Sequence, residues 1–206
     1  MSSEPSAYHR RVAEQKRAAI REAATSLFLA AGYDGTSLAR IAEAAGVSKA
    51  TLFKQFPTKA ALFDAIVTES WQIDDEGGPE PPTSDLRAGL TAIGGRYVEL
   101  LTRPGMTALF RIVIAELPRF PELGEAQFSR GKMPYFASVT RYLTAADAAG
   151  AAKVPDPELA ATQFLGMISN FVFWPGLLLP RWSPSAESTD HAVEEAVHTM
   201  IARYAA

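Results

Sequence analysis

The chain has 206 residues, 48% of them hydrophobic, and a net charge of −3, enough to bury a sizeable core as one unit or two subdomains. It has no cysteine, which excludes disulfides, zinc ribbons and thiol redox sensing. The small net charge hides an asymmetry: residues 1–60 carry 9 Lys+Arg against 5 Asp+Glu, or +4, and residues 61–206 carry 11 against 18, or −7. A basic head on an acidic body gives one end an electrostatic footprint for a polyanion and leaves the other end to be repelled by it.

The N-terminal stretch MSSEPSAYHRRVAEQKR is polar and charged. It lacks the apolar run of a signal peptide, so the chain is expected to be cytoplasmic. His9, Arg10, Arg11, Lys16, Arg17 and Arg21 form a basic arm running into a helix. The segment Ser37–Phe56, SLARIAEAAGVSKATLFKQF, follows. Leu38, Ile41, Ala42 and Ala45 recur at helical spacing and make one face apolar. Gly46 suits the left-handed conformation that ends a helix, Val47 fills the corner, and Ser48 is a strong N-cap for a second helix. In that helix Leu52 and Phe56 face inward, leaving Lys49, Ala50, Thr51, Phe53 and Lys54 outside. Two helices joined by a short glycine turn form the helix-turn-helix of DNA-binding proteins, though such pairs also occur as plain packing units. Lysines and a threonine at the start of the second helix suit base edges and phosphates in a major groove. After Pro57 and the N-cap Thr58, Lys59 sits in the first turn of the next helix. A cation there suits a phosphate better than it suits its own helix dipole.

The residues Ala23, Phe28, Gly32, Tyr33, Thr36, Ile41, Ala42, Ala45, Gly46, Val47, Ser48, Thr51, Leu52, Phe56, Lys59 and Leu62 carry a resemblance to a known family. From Ile20 to Ile66 the chain resembles the DNA-binding domain of the TetR family of bacterial transcriptional regulators. The resemblance implies a DNA-contacting set of Arg17, Thr36, Ser37, Ser48, Lys49, Ala50, Thr51, Phe53, Lys54 and Lys59. Two departures stand out. Ala50-Thr51-Leu52-Phe53 replaces the family's usual Gly-Thr-Leu-Tyr and so lacks the phenolic hydroxyl. Lys54-Gln55 replaces a His-Tyr pair, which moves the expected phosphate contact from Phe53 to Lys54.

The fold class expected is all-α: a three-helix DNA-binding head over residues 1–60 and a helical effector-binding and dimerisation body over residues 61–206. Helices are expected over Thr58–Ile73, Asp85–Leu101, Gly105–Leu117, Glu122–Ser129, Pro134–Ala149, Pro157–Leu178 (capped by Asp156) and Ser185–Tyr204, with prolines at the junctions. Asp74–Asp85, acidic and rich in Pro and Gly, reads as a loop. The run Phe164–Leu179 is too short to span a bilayer and holds Asn170 and Pro175, so it reads as a buried helix.

The Ile-Ala-Glu helix before Arg-Phe-Pro-Glu-Leu, within Phe110–Gly131, and ELAATQFLGMI, Glu158–Ile168, resemble one class of TetR-family C-terminal domain. That implies effector sensing and dimerisation. Aromatic and Met linings suit apolar or aromatic ligands, so the candidate pocket is Phe110, Glu116, Phe136, Phe164, Met167, Asn170, Phe171 and Trp174. Each apolar member taken singly reads more readily as core than as a ligand contact; Asn170 and Glu116 are polar groups that need a partner if buried. For a homodimer, Ala160, Ala161, Phe164, Ile168, Phe171 and Val172, with Val193, Ala196, Val197, Met200, Ile201 and Tyr204, are the expected interface.

No catalytic residues, metal or cofactor are expected. His191 and His198 are two turns apart, and phosphate-binding loops, His-Glu-x-x-His and Gly-x-Ser-x-Gly are absent. The expected partners are an inverted-repeat DNA operator, a small hydrophobic or aromatic effector and a second copy of the chain. Two alternatives stay open: a DNA-binding regulator without a small ligand, and a helical carrier that has lost DNA binding.

Overall fold

The computed structural model describes residues 7–72, 80–179 and 181–206. The expected helix end at Ile73, the first half of the Asp74–Asp85 loop, Pro180 and the Arg10 side chain lie outside the described residues. Among the described residues there is no strand, only an isolated antiparallel bridge between Ala152 and Ala205. The chain forms two compact units, Met1–Glu69 with Ile112–Gln127, and Ser70–Arg111 with Phe128–Ala206. This division differs from a simple boundary at residue 60. Each passage of chain from one unit to the other, after Glu69, Arg111 and Gln127, falls within a helix.

The first unit holds α1 (Ala7–Ala31), α2 (Leu38–Ala44), α3 (Lys49–Gln55), most of α4 (Lys59–Trp71), the end of α6 (Met106–Glu116) and α7 (Pro121–Glu125). The helices α2 and α3 have only 7 residues each, too few to persist alone. Ile41, Ala42 and Leu52 are buried and hold them to α1 and its neighbours, with Ile20, Phe28, Phe56 and Phe63 completing the core. Phe28, Tyr33 and Phe63 pack as a ring cluster with centroids 5.3–6.1 Å apart. Phe120 adds an edge contact to Tyr33 at 5.1 Å, which is one reason Ile112–Gln127 belongs to this unit.

The second unit is built on α5 (Leu86–Leu101), α8 (Met133–Ala148), α9 (Pro157–Val172) and α11 (Ala186–Tyr204), with the start of α6 and the short α10 (Trp174–Leu178). Asp85, Asp156 and Ser185 each accept a hydrogen bond from the backbone N–H three residues on and so start α5, α9 and α11. At Gly94 an added Cβ would lie 2.7 Å from Val193 and 3.3 Å from Ile168, so α5 meets α9 and α11 at van der Waals distance only because that side chain is absent. Arg111 donates to the Leu177 and Gly176 carbonyls, at 3.0 and 2.6 Å, and ties α6 to α10.

Two expected helices take another form. Pro157–Leu178 is broken at Phe173 into α9 and α10, since Pro175 has no N–H to donate and its ring crowds the carbonyl four residues back. The expected Glu122–Ser129 helix is α7 followed by a π-helix over Ala126–Lys132, which runs directly into α8. Pro134 in the first turn of α8 has no N–H to donate to the carbonyl four residues back, and the wide turn upstream carries the chain past it without a break.

Candidate nucleic-acid interface

The turn between α2 and α3 follows from local chemistry. Gly46 has φ 64°, and the Val47 N–H donates to the Ala42 carbonyl at 3.0 Å, closing the end of α2. Ser48 Oγ then accepts from the Thr51 N–H at 3.1 Å and starts α3. With Leu52 and Phe56 buried inward, the opposite face of α3 presents Lys49, Ala50, Phe53 and Lys54 to solvent. These four stand at i, i+1, i+4 and i+5 and share one face. Phe53 is 50% exposed.

The remaining members of the expected set are engaged within the unit. Ser37 caps α2, accepting from the Arg40 N–H at 3.3 Å. The Thr51 hydroxyl lies 2.9 Å from Ser48 Oγ. Thr36 is buried, and its hydroxyl donates to the Gly32 carbonyl at 2.8 Å and the Leu27 carbonyl at 3.2 Å. Arg17 donates to the Gln55 carbonyl at 3.2 Å and stacks 4.2 Å from the centre of Phe56. A cation on the last carbonyls of α3 also complements that helix's dipole. Of the basic arm, Arg21 pairs with Glu69 at 3.0 Å.

Lys59 departs furthest from expectation. Its ammonium donates to the Tyr33 carbonyl at 2.6 Å and the Thr36 carbonyl at 3.0 Å, above the Tyr33 ring at 4.3 Å. Burial lowers its pKa, while Asp34 and Glu116 act the other way. The charge that looked misplaced at a helix N-terminus fastens the α1–α2 turn. Glu116, expected in a pocket, reaches the same turn and accepts from the Asp34 N–H at 3.1 Å. Gly32, with φ 76°, leaves room for that carboxylate, which lies 3.0 Å from where a Cβ would stand. Arg119 pairs with Asp34 at 2.8 Å. Burial raises the Tyr33 pKa to about 12, with Glu122 and Asp64 adding to the shift.

Arg40 escaped the sequence reading. It is exposed on α2 and donates to the Gly35 carbonyl at 3.3 Å. Its signal was the one that marked Lys59: a cation in the first turn of a helix, where the dipole disfavours it.

The other pocket candidates are dispersed. Phe164 is fully buried in the second unit's core. Phe110 packs on Phe173 at 4.8 Å. Met167, Asn170, Phe171 and Trp174 lie exposed on α9 and α10. Phe136 lines a pocket of about 520 Å³ beside α8. The stripe expected at a dimer interface is also largely internal: Ala160, Ala161, Phe164, Ile168, Val172, Val193, Ala196, Val197, Met200 and Tyr204 are buried within the unit.

Residues 20–66 match the family model for bacterial regulatory proteins of the TetR family, and residues 88–206 match that for the C-terminal domain of AefR-like transcriptional repressors. The chain is 44% identical over 59 residues to the HTH-type transcriptional regulator RutR of Escherichia coli K12, a match covering 29% of this chain and only 28% of RutR. A TetR-family transcriptional regulator from Mesorhizobium loti has the same fold, with TM-score 0.79, 29% identity, and 94% of this chain and 98% of that one covered. The flavonoid-responsive regulator FrrA is similar to the same degree, with TM-score 0.78, 28% identity, and 93% and 98% covered.

Proposed function

We propose, for a chain that belongs to the TetR family of bacterial transcriptional regulators, a homodimeric repressor that leaves a palindromic operator when a small aromatic effector binds. Transcriptional regulation, not catalysis, is the role of this family. The observation that carries the reading is the outer face of α3, where Lys49, Ala50, Phe53 and Lys54 are exposed while Leu52 and Phe56 anchor the helix. Lys49 and Lys54 meet phosphates or guanine edges, and Ala50 and Phe53 offer apolar contact to a thymine methyl. Ser37, Ser48 and Thr51 add contacts through exposed backbone and hydroxyls at two helix N-termini. Arg17, Thr36 and Lys59 act indirectly, by fixing the shape of the head.

A reader of one half-site gains specificity by pairing. The exposed face of α9 and α10 supports a two-fold partner: Leu159, Met167, Phe171 and Trp174 are each 36–51% exposed, and nothing lies within 4 Å of a Cβ added at Gly166. Apolar residues around a glycine let two helices approach closely. Paired heads would read half-sites about 34–36 Å apart, one turn of DNA. For the effector, support comes from the aromatic body and from the similarity to FrrA, whose name makes it flavonoid-responsive. Helices α4 and α6 each run through both units and are the levers by which occupancy of the body shifts the heads. A coupling of about 1–3 kcal/mol weakens operator binding roughly 5- to 150-fold.

Fluorescence anisotropy tests this with DNA flanking the protein's own gene against random duplex. Selective, salt-sensitive binding at two protomers per palindrome is expected. Equal binding to both duplexes, in a protein that also selects no sequence from a random library, would refute it.

A further inference from the structure

Phe128 and Lys132, four residues apart, both lie in the π-helix, and α8 continues the row with Phe136. The Lys132 ammonium lies 4.6 Å from the centre of the Phe136 ring and 5.5 Å from that of Phe128. Together with Met133, Thr140 and Thr162 these residues line the pocket of about 520 Å³, in the size range of small-molecule sites. Its floor is apolar, since Phe136 is buried, and its lip is Phe128, a large ring 54% exposed. Arg141 and Glu158 also contribute to the lining, so the pocket holds two cations and one carboxylate. The Lys132 ammonium has neither an ion pair nor a hydrogen bond among the described residues, and burial lowers its pKa. Two π faces stabilise the cation, yet its three N–H donors keep no protein acceptor.

We infer that this pocket binds a flat aromatic carboxylate, with its anionic group on Lys132 and its ring against Phe128, Met133 and Phe136. The geometry gives each part of such a ligand a counterpart. The carboxylate supplies the acceptors the ammonium lacks, in a partly desolvated site where a charge-assisted hydrogen bond is strong. The aromatic body covers the exposed face of Phe128. A neutral hydrocarbon would fill the floor and leave the ammonium unmatched; a polar anion such as phosphate would leave the rings bare. The inference deepens the effector reading above and rests on it, by giving the effector a place and a charge.

Isothermal titration of the full chain with 2-naphthoate, and with its uncharged methyl ester, tests the assignment. Wild type should bind one naphthoate per protomer, and more tightly than the ester. Lys132→Met, which keeps the length and apolar stem, should lose about 10-fold in naphthoate affinity and leave the ester unaffected. Phe128→Ala, at an exposed position where folding is not at stake, should weaken both ligands severalfold. Equal naphthoate affinity in wild type and Lys132→Met, no preference over the ester, or no binding at millimolar naphthoate would each overturn the site. Operator release, followed in parallel, separates the two readings. Naphthoate that binds through Lys132 and leaves the operator complex intact keeps the site and sinks its role as effector site. Release that persists undiminished in Lys132→Met keeps an effector and sinks this site.

Discussion

Helices α3 and α9 both turn a face to solvent, with opposite chemistry. On α3 the open face is Lys49, Ala50, Phe53 and Lys54; on α9 Leu159, Gly166, Met167 and Phe171 are exposed beside Glu158, Thr162, Gln163 and Asn170. The first keeps its charges well solvated until a polyanion displaces their water and counterions. The second leaves apolar area in water, where only another apolar surface relieves it. A second contrast lies inside the head. Among the described residues Lys49 and Lys54 are exposed and make no side-chain hydrogen bond or ion pair, whereas Arg17 and Lys59 spend their charge on backbone carbonyls. Net charge alone would count all four as DNA contacts; geometry leaves two open to solvent and fastens two to the fold, which supports the proposal that the first two read and the second two build.

Breaking the apolar face should have the largest effect. Met167→Glu places a carboxylate where the partner helix is proposed to pack, and an unpaired charge there is strongly disfavoured. Light scattering should give a monomeric mass, and operator affinity should fall about 100-fold as half-site pairing is lost. A dimer of unchanged affinity would remove α9 from the interface. Next in size, Lys49→Ala with Lys54→Ala should lower operator affinity about 10-fold or more and flatten the dependence of log K on log salt by about two units. Lys59→Met acts on the fold: loss of its two carbonyl bonds should lower unfolding free energy by about 1–3 kcal/mol, measured by urea denaturation. The smallest change expected is a gain. Phe53→Tyr restores the hydroxyl that the family resemblance associates with a phosphate, and should tighten binding severalfold at unchanged stability.

Much of the head was legible because its determinants are local. Ser48 caps a residue three away, Gly46 adopts a conformation set by its own missing Cβ, and Leu52 and Phe56 follow from helical period. The cap Asp156 was readable for the same reason, as were the helix starts at Asp85 and Ser185. Lys59 was misleading because its partners, Tyr33 and Thr36, lie 26 and 23 residues away, and no local rule ranks a distant carbonyl against a phosphate. The Glu116 carboxylate finds its N–H donor 82 residues away. In the body, Ala160, Phe164 and Ile168 looked as suited to a dimer seam as to a core. Packing against α5 and α11 decided for the core and left the flanking Leu159 and Met167 outside. The break at Phe173 was signalled by Pro175, whereas the π-helix left only Pro134 as a hint.

The proposed division of the head's lysines into readers and builders is open to one comparison: anisotropy titrations of Lys54→Ala and Lys59→Met on the same operator across a salt series. Lys54→Ala should lose about one unit of salt slope, while Lys59→Met, held below its melting temperature, keeps the wild-type slope. A slope lost in Lys59→Met and kept in Lys54→Ala would contradict the account, because the charge meeting the phosphate would then be the one the structure fastens to the Tyr33 and Thr36 carbonyls.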